Sequence, residues 1–385
     1  MRWIPAAVLF VLGFAPTVAA ALAWTEGEGH RFAEVRPEAG GKPGFTLTDP
    51  RETGILFTNT LEGDAYLTNA VAHNGSGVAI GDVDADGWPD LYFCSLQGPN
   101  RLYRNLGNWR FEELTLGDAA CGEQYSTGAA FADVDGNGSL DLLVNGIASG
   151  TRLFLNDGHG RFREVADSGF SRTASATSLA LADIDADGDL DVYCAHYIDV
   201  MNLADPTTHF ALARRGDRWV VTKVNGESAL SPKWKDRFEA LADGSVRELP
   251  EYDGLYRNEG NGRFVSILFE PGVFQDENGQ PVPPTRDWGQ AVMFRDLNGD
   301  GAPDFYVCND NASPDRAWLN TGQGTFRAFP RSSLRHTSRS SMAPMVVRTG
   351  SWNYWEGSLS RLVIRTAGKA GIGAPSTCGA CSQWD

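Results

Sequence analysis

The chain has 385 residues, 42% of them hydrophobic and 21% charged, which suits one large domain or two ordinary ones and excludes a disordered polymer. With 49 acidic against 33 basic residues the net charge is −16, which excludes a nucleic-acid binder, because phosphates need a basic surface. The 44 glycines point to a turn-rich, all-β chain.

Arg2, the apolar run Ile4 to Ala15 and the small-x-small triplet Ala21-Leu22-Ala23 predict a signal peptide over 1–23, cleaved after Ala23. The run is short for a comfortable span, and an uncleaved anchor is the other reading. No later segment has 18 apolar residues in a row. The expectation is a secreted or periplasmic chain with no membrane span after cleavage. Residues 24–76 carry strand-like pieces, HRFAEV and GILFTN, but no acidic loop.

From Asp82 an acidic loop repeats. DVDADGWPD begins at Asp82, DVDGNGSLD at Asp133, DIDADGDLD at Asp183 and DLNGDGAPD at Asp296, with steps of 51, 50 and 113 residues. A hairpin signal recurs in phase: RLYRNLGNWRF (101–111), RLFLNDGHGRF (152–162), LYRNEGNGRF (255–264) and RAWLNTGQGTF (316–326). The third unit carries an insertion at about 198–252, which accounts for most of the long step. The first unit reads as four strands: Val78 to Gly81, Leu91 to Ser95, Arg101 to Arg104 and Arg110 to Leu114. Four strands in a unit of about 50 residues is the pattern of a β-propeller blade. A parallel β-helix has shorter repeats. The expected fold is an all-β propeller of five or six blades, open or imperfectly closed, over 24–342.

The loops bring oxygen donors together. Positions 1, 3, 5 and 9 are Asp82, Asp84, Asp86 and Asp90; Asp133, Asp135, Asn137 and Asp141; Asp183, Asp185, Asp187 and Asp191; and Asp296, Asn298, Asp300 and Asp304. Position 7 (Trp88, Ser139, Asp189, Ala302) adds a further donor, Trp88 through its backbone carbonyl alone. Alternate side chains of a tight loop converge, and an all-oxygen cage suits Ca²⁺ better than Mg²⁺ or a soft metal. An EF-hand would place Glu at position 12, where Phe93 stands. A plain Asp/Gly turn explains one such loop better than four in register. The expectation is therefore about four structural calcium ions, each fixing the corner between a blade's first two strands. The Asn substitutions in the second and fourth loops predict weaker sites there.

These loops and hairpins resemble FG-GAP/VCBS repeats, as in the integrin α propeller, over about 77–330. RDWGQAVMFRDLNGDGAPDFYVCND (286–310), LRHTSRSSM (334–342) and the insertion segment DPTTHFALARRGDRWVVTKVNGE (205–227) resemble secreted bacterial relatives of cartilage acidic protein, the ASPIC/UnbV family. The resemblance implies an exported, calcium-binding propeller and no catalytic residues. After Met342 the pattern departs from the family. LRHTSRSSM opens like a blade, yet no acidic loop follows, and 343–385 carries a net charge of +2. A truncated or frame-shifted product and a small capping module are the two readings of this tail.

Cys94, Cys194 and Cys308 occupy equivalent apolar runs and read as buried strand cysteines, whereas Cys378 and Cys381 form a tail CxxC without a second pair. The six histidines are scattered, and no nucleophile elbow, HExxH or phosphate loop occurs. Within the insertion, Trp219 and Trp234 beside Arg214, Arg215, Lys223, Lys233, Lys235 and Arg237 suggest contact with sugars or an acidic glycan, unless these residues pack on the propeller. Two functions stand. One is a non-enzymatic, calcium-dependent binding or adhesion module for an extracellular or periplasmic protein or glycan. The other is an exported polysaccharide lyase, whose base and cation the residues do not identify.

Overall fold

The structure is a computed structural model and describes residues 24–27, 30–33, 47–63, 70–198, 207–310, 313–330, 341–348 and 362–368. The expected leader and the tail cysteines Cys378 and Cys381 lie outside the described residues. The chain divides into two units, Met1–Thr48 and Asp49–Asp385. In the first, β1 (Trp24–Gly27) and β2 (His30–Ala33) pair antiparallel.

The second unit opens with a one-turn helix α1 (Pro50–Thr53), capped by the Asp49 carboxylate, and a 3₁₀ turn at Ala70–Asn74. Four sheets then follow as blades. The first is β3 (Val78–Gly81), β4 (Asp90–Phe93), β5 (Arg101–Asn105) and β6 (Phe111–Leu114), hydrogen-bonded in that order. The second is β7 (Tyr125–Ala132), β8 (Asp141–Ile147), β9 (Gly150–Asn156) and β10 (Phe162–Glu164). The third starts with β11 (Ala176–Ala182) and β12 (Asp191–His196). After β12 come β13 (Phe210–Arg215), β14 (Arg218–Val224) and β15 (Glu227–Ser228) as one small sheet, and β16 (Phe238–Ala240) and β17 (Val246–Glu248) as a hairpin. The blade then resumes with β18 (Gly254–Asn258) and β19 (Phe264–Ser266). The fourth is β21 (Gly289–Arg295), β22 (Asp304–Asn309), β23 (Arg316–Asn320) and β24 (Phe326–Ala328). On its outer edge β20 (Phe274–Gln275), arriving from the third blade, pairs parallel with β24 and covers it. A last pair, β25 (Ser341–Arg348) and β26 (Leu362–Gly368), is antiparallel. The described residues thus form an all-β propeller-type succession of antiparallel blades, as the repeats imply.

The hydrophobic core lies between blades rather than within them. First strands are neighbours in series, β3 beside β7, β7 beside β11, β11 beside β21 and β21 beside β25. One cluster joins Tyr92 and Leu102 of the first blade to Leu142, Val144 and Phe154 of the second. Another joins Leu143 and Leu153 to Val192, Cys194 and Tyr256, and a third joins Tyr193 and Leu255 to Phe305, Val307 and Phe326. Second strands are sandwiched from both sides, so β8, β12 and β22 are buried at every residue and read as continuous apolar runs rather than alternating ones. Phe305 touches the rings of Tyr193, Phe274, Phe294, Trp318 and Phe326, and truncating such a side chain to Ala costs about 3–5 kcal/mol. Cys94, Cys194 and Cys308 are buried in the strands, as expected. Burial pushes Cys194 up to about 12, far from thiolate reactivity.

Candidate metal centre

Each acidic loop joins the first and second strands of its blade, and its carboxylates divide into two jobs. Position 1 organises the turn. Asp82 accepts from the N–H of Asp86 and Gly87, Asp133 from Gly136, Asn137 and Gly138, Asp183 from Asp187 and Gly188, and Asp296 from Gly299 and Gly301. Gly87 has φ +89°, a left-handed conformation that a side chain would strain. Position 5 accepts from the N–H of position 7 in all four loops, through Asp86, Asn137, Asp187 and Asp300.

Position 9 does something the sequence does not announce. Asp90, Asp141, Asp191 and Asp304 have no solvent exposure. One oxygen of each accepts from the N–H of position 2, at Val83, Val134, Ile184 and Leu297. The other accepts from the N–H of the asparagine ending the third strand, at Asn105, Asn156, Asn258 and Asn320. This aspartate therefore staples loop, second strand and third strand together. Burial pushes Asp141, Asp191 and Asp304 up to about 6, opposed by those two N–H donors apiece. Each carboxylate oxygen keeps a second lone pair for another partner.

Three loops gather carboxylate oxygens within 4.8 Å of one another: Asp82, Asp84 and Asp86; Asp133, Asp135 and Asp141; Asp183, Asp185 and Asp191. The fit to a hard cation is tested at position 3. Asp84 Oδ1 and Asp185 Oδ1 are buried and have no hydrogen-bond partner. Burying such an oxygen unpaired is costly, and a cation removes that cost. Burial raises Asp185, and the neighbouring Asp187 and Asp183 raise it further. In the first loop Arg104 lies 2.8 Å from the other Asp84 oxygen and 3.7 Å from Asp86, supplying part of the missing positive charge. The fourth loop differs. Among the described residues, Asp296, Asp300 and Asp304 form no such group. Its position 3 is Asn298, whose amide donates to Asp300 at 2.8 Å. Position 7 contributes no side-chain cluster: Trp88 is half exposed and its ring faces Gly107.

The hairpin asparagines have a role that a reading as turn residues misses. Asn156 Nδ2 donates to the Val83 carbonyl of the preceding blade's loop, Asn258 Nδ2 to Val134 and Asn320 Nδ2 to Ile184. Only the recurrence of Asn in phase with the loops signals this in the sequence.

At the opposite end of the blades, the first strands bulge at one equivalent place, around Thr127, Thr177 and Gln290. Thr127 donates to the Ala176 carbonyl and Thr177 to the Gly289 carbonyl, linking one first strand to the next. Between them lies a cavity of about 380 Å³, bordered also by Val71, Asn74, Ser76 and Ser178. The inserted strands leave β12 at this same end. There Trp234 is buried and donates to Glu227, so it is no exposed sugar platform; the insertion's own packing claims it. Trp219 is half-buried beneath Arg214.

A family model described as an FG-GAP-like repeat matches residues 82–144, 133–194 and 296–350, the loops and the strands that follow them. The chain carries FG-GAP-like repeats. Its repeats are similar to cartilage acidic protein 1 of Mus musculus, at 28% identity over 56% of this chain and 33% of that protein. The human protein of the same name is 26% identical over 49% of this chain and 29% of its own length. The aligned part thus spans about a third or less of these relatives. Solved structures similar to this chain include an Agrocybe aegerita lectin that recognises non-reducing terminal N-acetylglucosamine (TM-score 0.29, 19% identity, 70% of each chain). They also include a Xanthomonas citri GH43_1 enzyme complexed with xylose (TM-score 0.34, 11% identity, 66% of this chain and 72% of that one). At these scores neither likeness carries an argument about activity. No helix among the described residues is long and apolar enough to cross a membrane.

Proposed function

We propose that this repeat protein is an exported, calcium-stabilised binding module that engages a protein or glycan outside the cytoplasm without chemical turnover. The observation that carries the calcium reading is the pair of buried, unpartnered oxygens at Asp84 and Asp185 inside carboxylate clusters. Calcium would be held by positions 1, 3, 5 and 9 and a position-7 carbonyl, and it supplies charge neutralisation. The chain's residues shape the rest: position 1 turns the loop and position 9 ties it to two strands. The recurring carboxylates are thus engaged in structure, which supports binding over catalysis. Ligand contact is assigned to the other end of the blades, where the cavity and the insertion lie. Calcium dependence of binding then arises through the fold and not through a bridging ion.

Two measurements test this. A ligand of the folded state raises the melting midpoint, so metal-stripped chain should gain midpoint in millimolar Ca²⁺ and less in Mg²⁺. A folded chain with no shift removes the calcium reading. Incubation with acidic polysaccharides and with extracellular proteins should give retention without cleavage. New unsaturated sugar ends would replace the binding module with a lyase.

A further inference from the structure

We infer, on the calcium reading of the loops, that a calcium site is finished by an asparagine of the blade that follows it, and that the chain, whose described residues supply such an asparagine to three of the four loops, has three strong sites and one weak one. The position-2 peptide is held from both sides. Its N–H is bound by the position-9 aspartate of its own blade. Its carbonyl is bound by the asparagine Nδ2 of the next blade, across 73, 124 and 136 residues of sequence. A second donor reaches two of these carbonyls, from Gly160 N–H to Val83 and from Gly324 N–H to Ile184. Both glycines have positive φ, which lets the hairpin backbone come that close.

The peptide unit is planar, so fixing the position-2 carbonyl also fixes the N–H and Cα of position 3. Position 3 is the residue whose oxygen is buried without a partner, at Asp84 and Asp185. The next blade's asparagine is thus a positioning residue for the preceding loop's calcium ligand. The fourth loop is the internal comparison. Among the described residues no donor reaches the Leu297 carbonyl, and the same loop forms no carboxylate cluster. Asn105, in the first blade, marks the other end of the series. Its Nδ2 donates to Pro89 of its own loop and, among the described residues, reaches no preceding one.

Equilibrium dialysis of the full chain against radiolabelled Ca²⁺ tests the inference. The expected result is three ions per chain, with a fourth at least tenfold weaker. Asn320→Ala should leave two strong sites and move the lost ion at least tenfold weaker, while Asn105→Ala keeps three. Asn298→Asp gives the fourth loop an aspartate at position 3 while, among the described residues, no donor reaches its position-2 carbonyl, and its site should stay at least tenfold weaker. Four ions of one strength in the parent or in Asn298→Asp would overturn the inference, as would three in Asn320→Ala or two in Asn105→Ala. Should Asn320→Ala fail to fold by circular dichroism, the counts for the parent, Asn298→Asp and Asn105→Ala decide. A chain that binds no calcium and shows no midpoint shift removes the calcium reading itself, an outcome distinct from four equal sites.

Discussion

The two ends of the blades obey different rules. At the loop end all four blades repeat one arrangement, with a buried aspartate accepting from position 2 and from the hairpin asparagine. At the far end the blades diverge. Asn100, Asp253 and Asp315 precede the third strand of their blades and bond the tyrosines Tyr92, Tyr193 and Tyr306 of the second. The second blade replaces both partners at once, with Leu143 in the tyrosine position and Thr151 bonding Asn145. One end is therefore constrained by charge and burial, and the other is free to change. Under the proposed binding function, specificity is assigned to the end where change is tolerated, beside the cavity and the insertion.

The comparison breaks most sharply at Asp191. Asp191→Ala leaves the N–H groups of Ile184 and Asn258 buried and unpaired, at about 1–3 kcal/mol each, so a loss of about 4 kcal/mol or of cooperative melting is expected in denaturant titration. Calcium removal comes next. A site held at a hundred times its dissociation constant contributes about 2.7 kcal/mol, so metal stripping should lower the calorimetric midpoint in proportion to the number of strong sites.

The far end should yield a gain instead of a loss. Burial pushes Asp253 up to about 7, opposed by the His196 N–H and the Tyr193 hydroxyl, with Asp287 raising it and Arg316 lowering it. A folded value above the ordinary 3.8 means this group's contribution is complete below about pH 4 and is lost as pH rises towards 7. Asn100 already serves this position in the first blade, accepting from Ser95 N–H and donating to Tyr92. Asp253→Asn should therefore be more stable than the parent at pH 7, on the order of 2 kcal/mol, with the difference closing by pH 4 in paired urea titrations. Trp88→Ala should do least. The ring is half exposed and any ligation uses the backbone, so stability should change by less than about 0.5 kcal/mol and calcium affinity stay within twofold.

The blades were legible in the sequence because their signals are local. The loops recur at 51 and 50 residues, the Asn-x-Gly hairpins follow in phase, and the first blade's strands fall within two residues of the expected ones. Position 9 was legible as a carboxylate but not as a staple, since nothing local shows that Asp191 meets Asn258 across the insertion, 67 residues away. The insertion misled at Trp234. An aromatic among lysines reads as a sugar platform, whereas the packing of Phe210 and Phe238 against each other and of Trp234 against Phe238 makes it a small core. The asparagine bonds between blades were hidden for the same reason, being relations between repeats and not properties of one.

Those bonds give the chain a direction in time. Synthesis runs from the N-terminus, so the Val83 carbonyl exists long before Asn156 is made, and the Ile184 carbonyl waits for Asn320. Each corner is provisional while its blade is the newest and becomes permanent when the next one arrives. Maturation then advances as a front that trails the growing end by one blade.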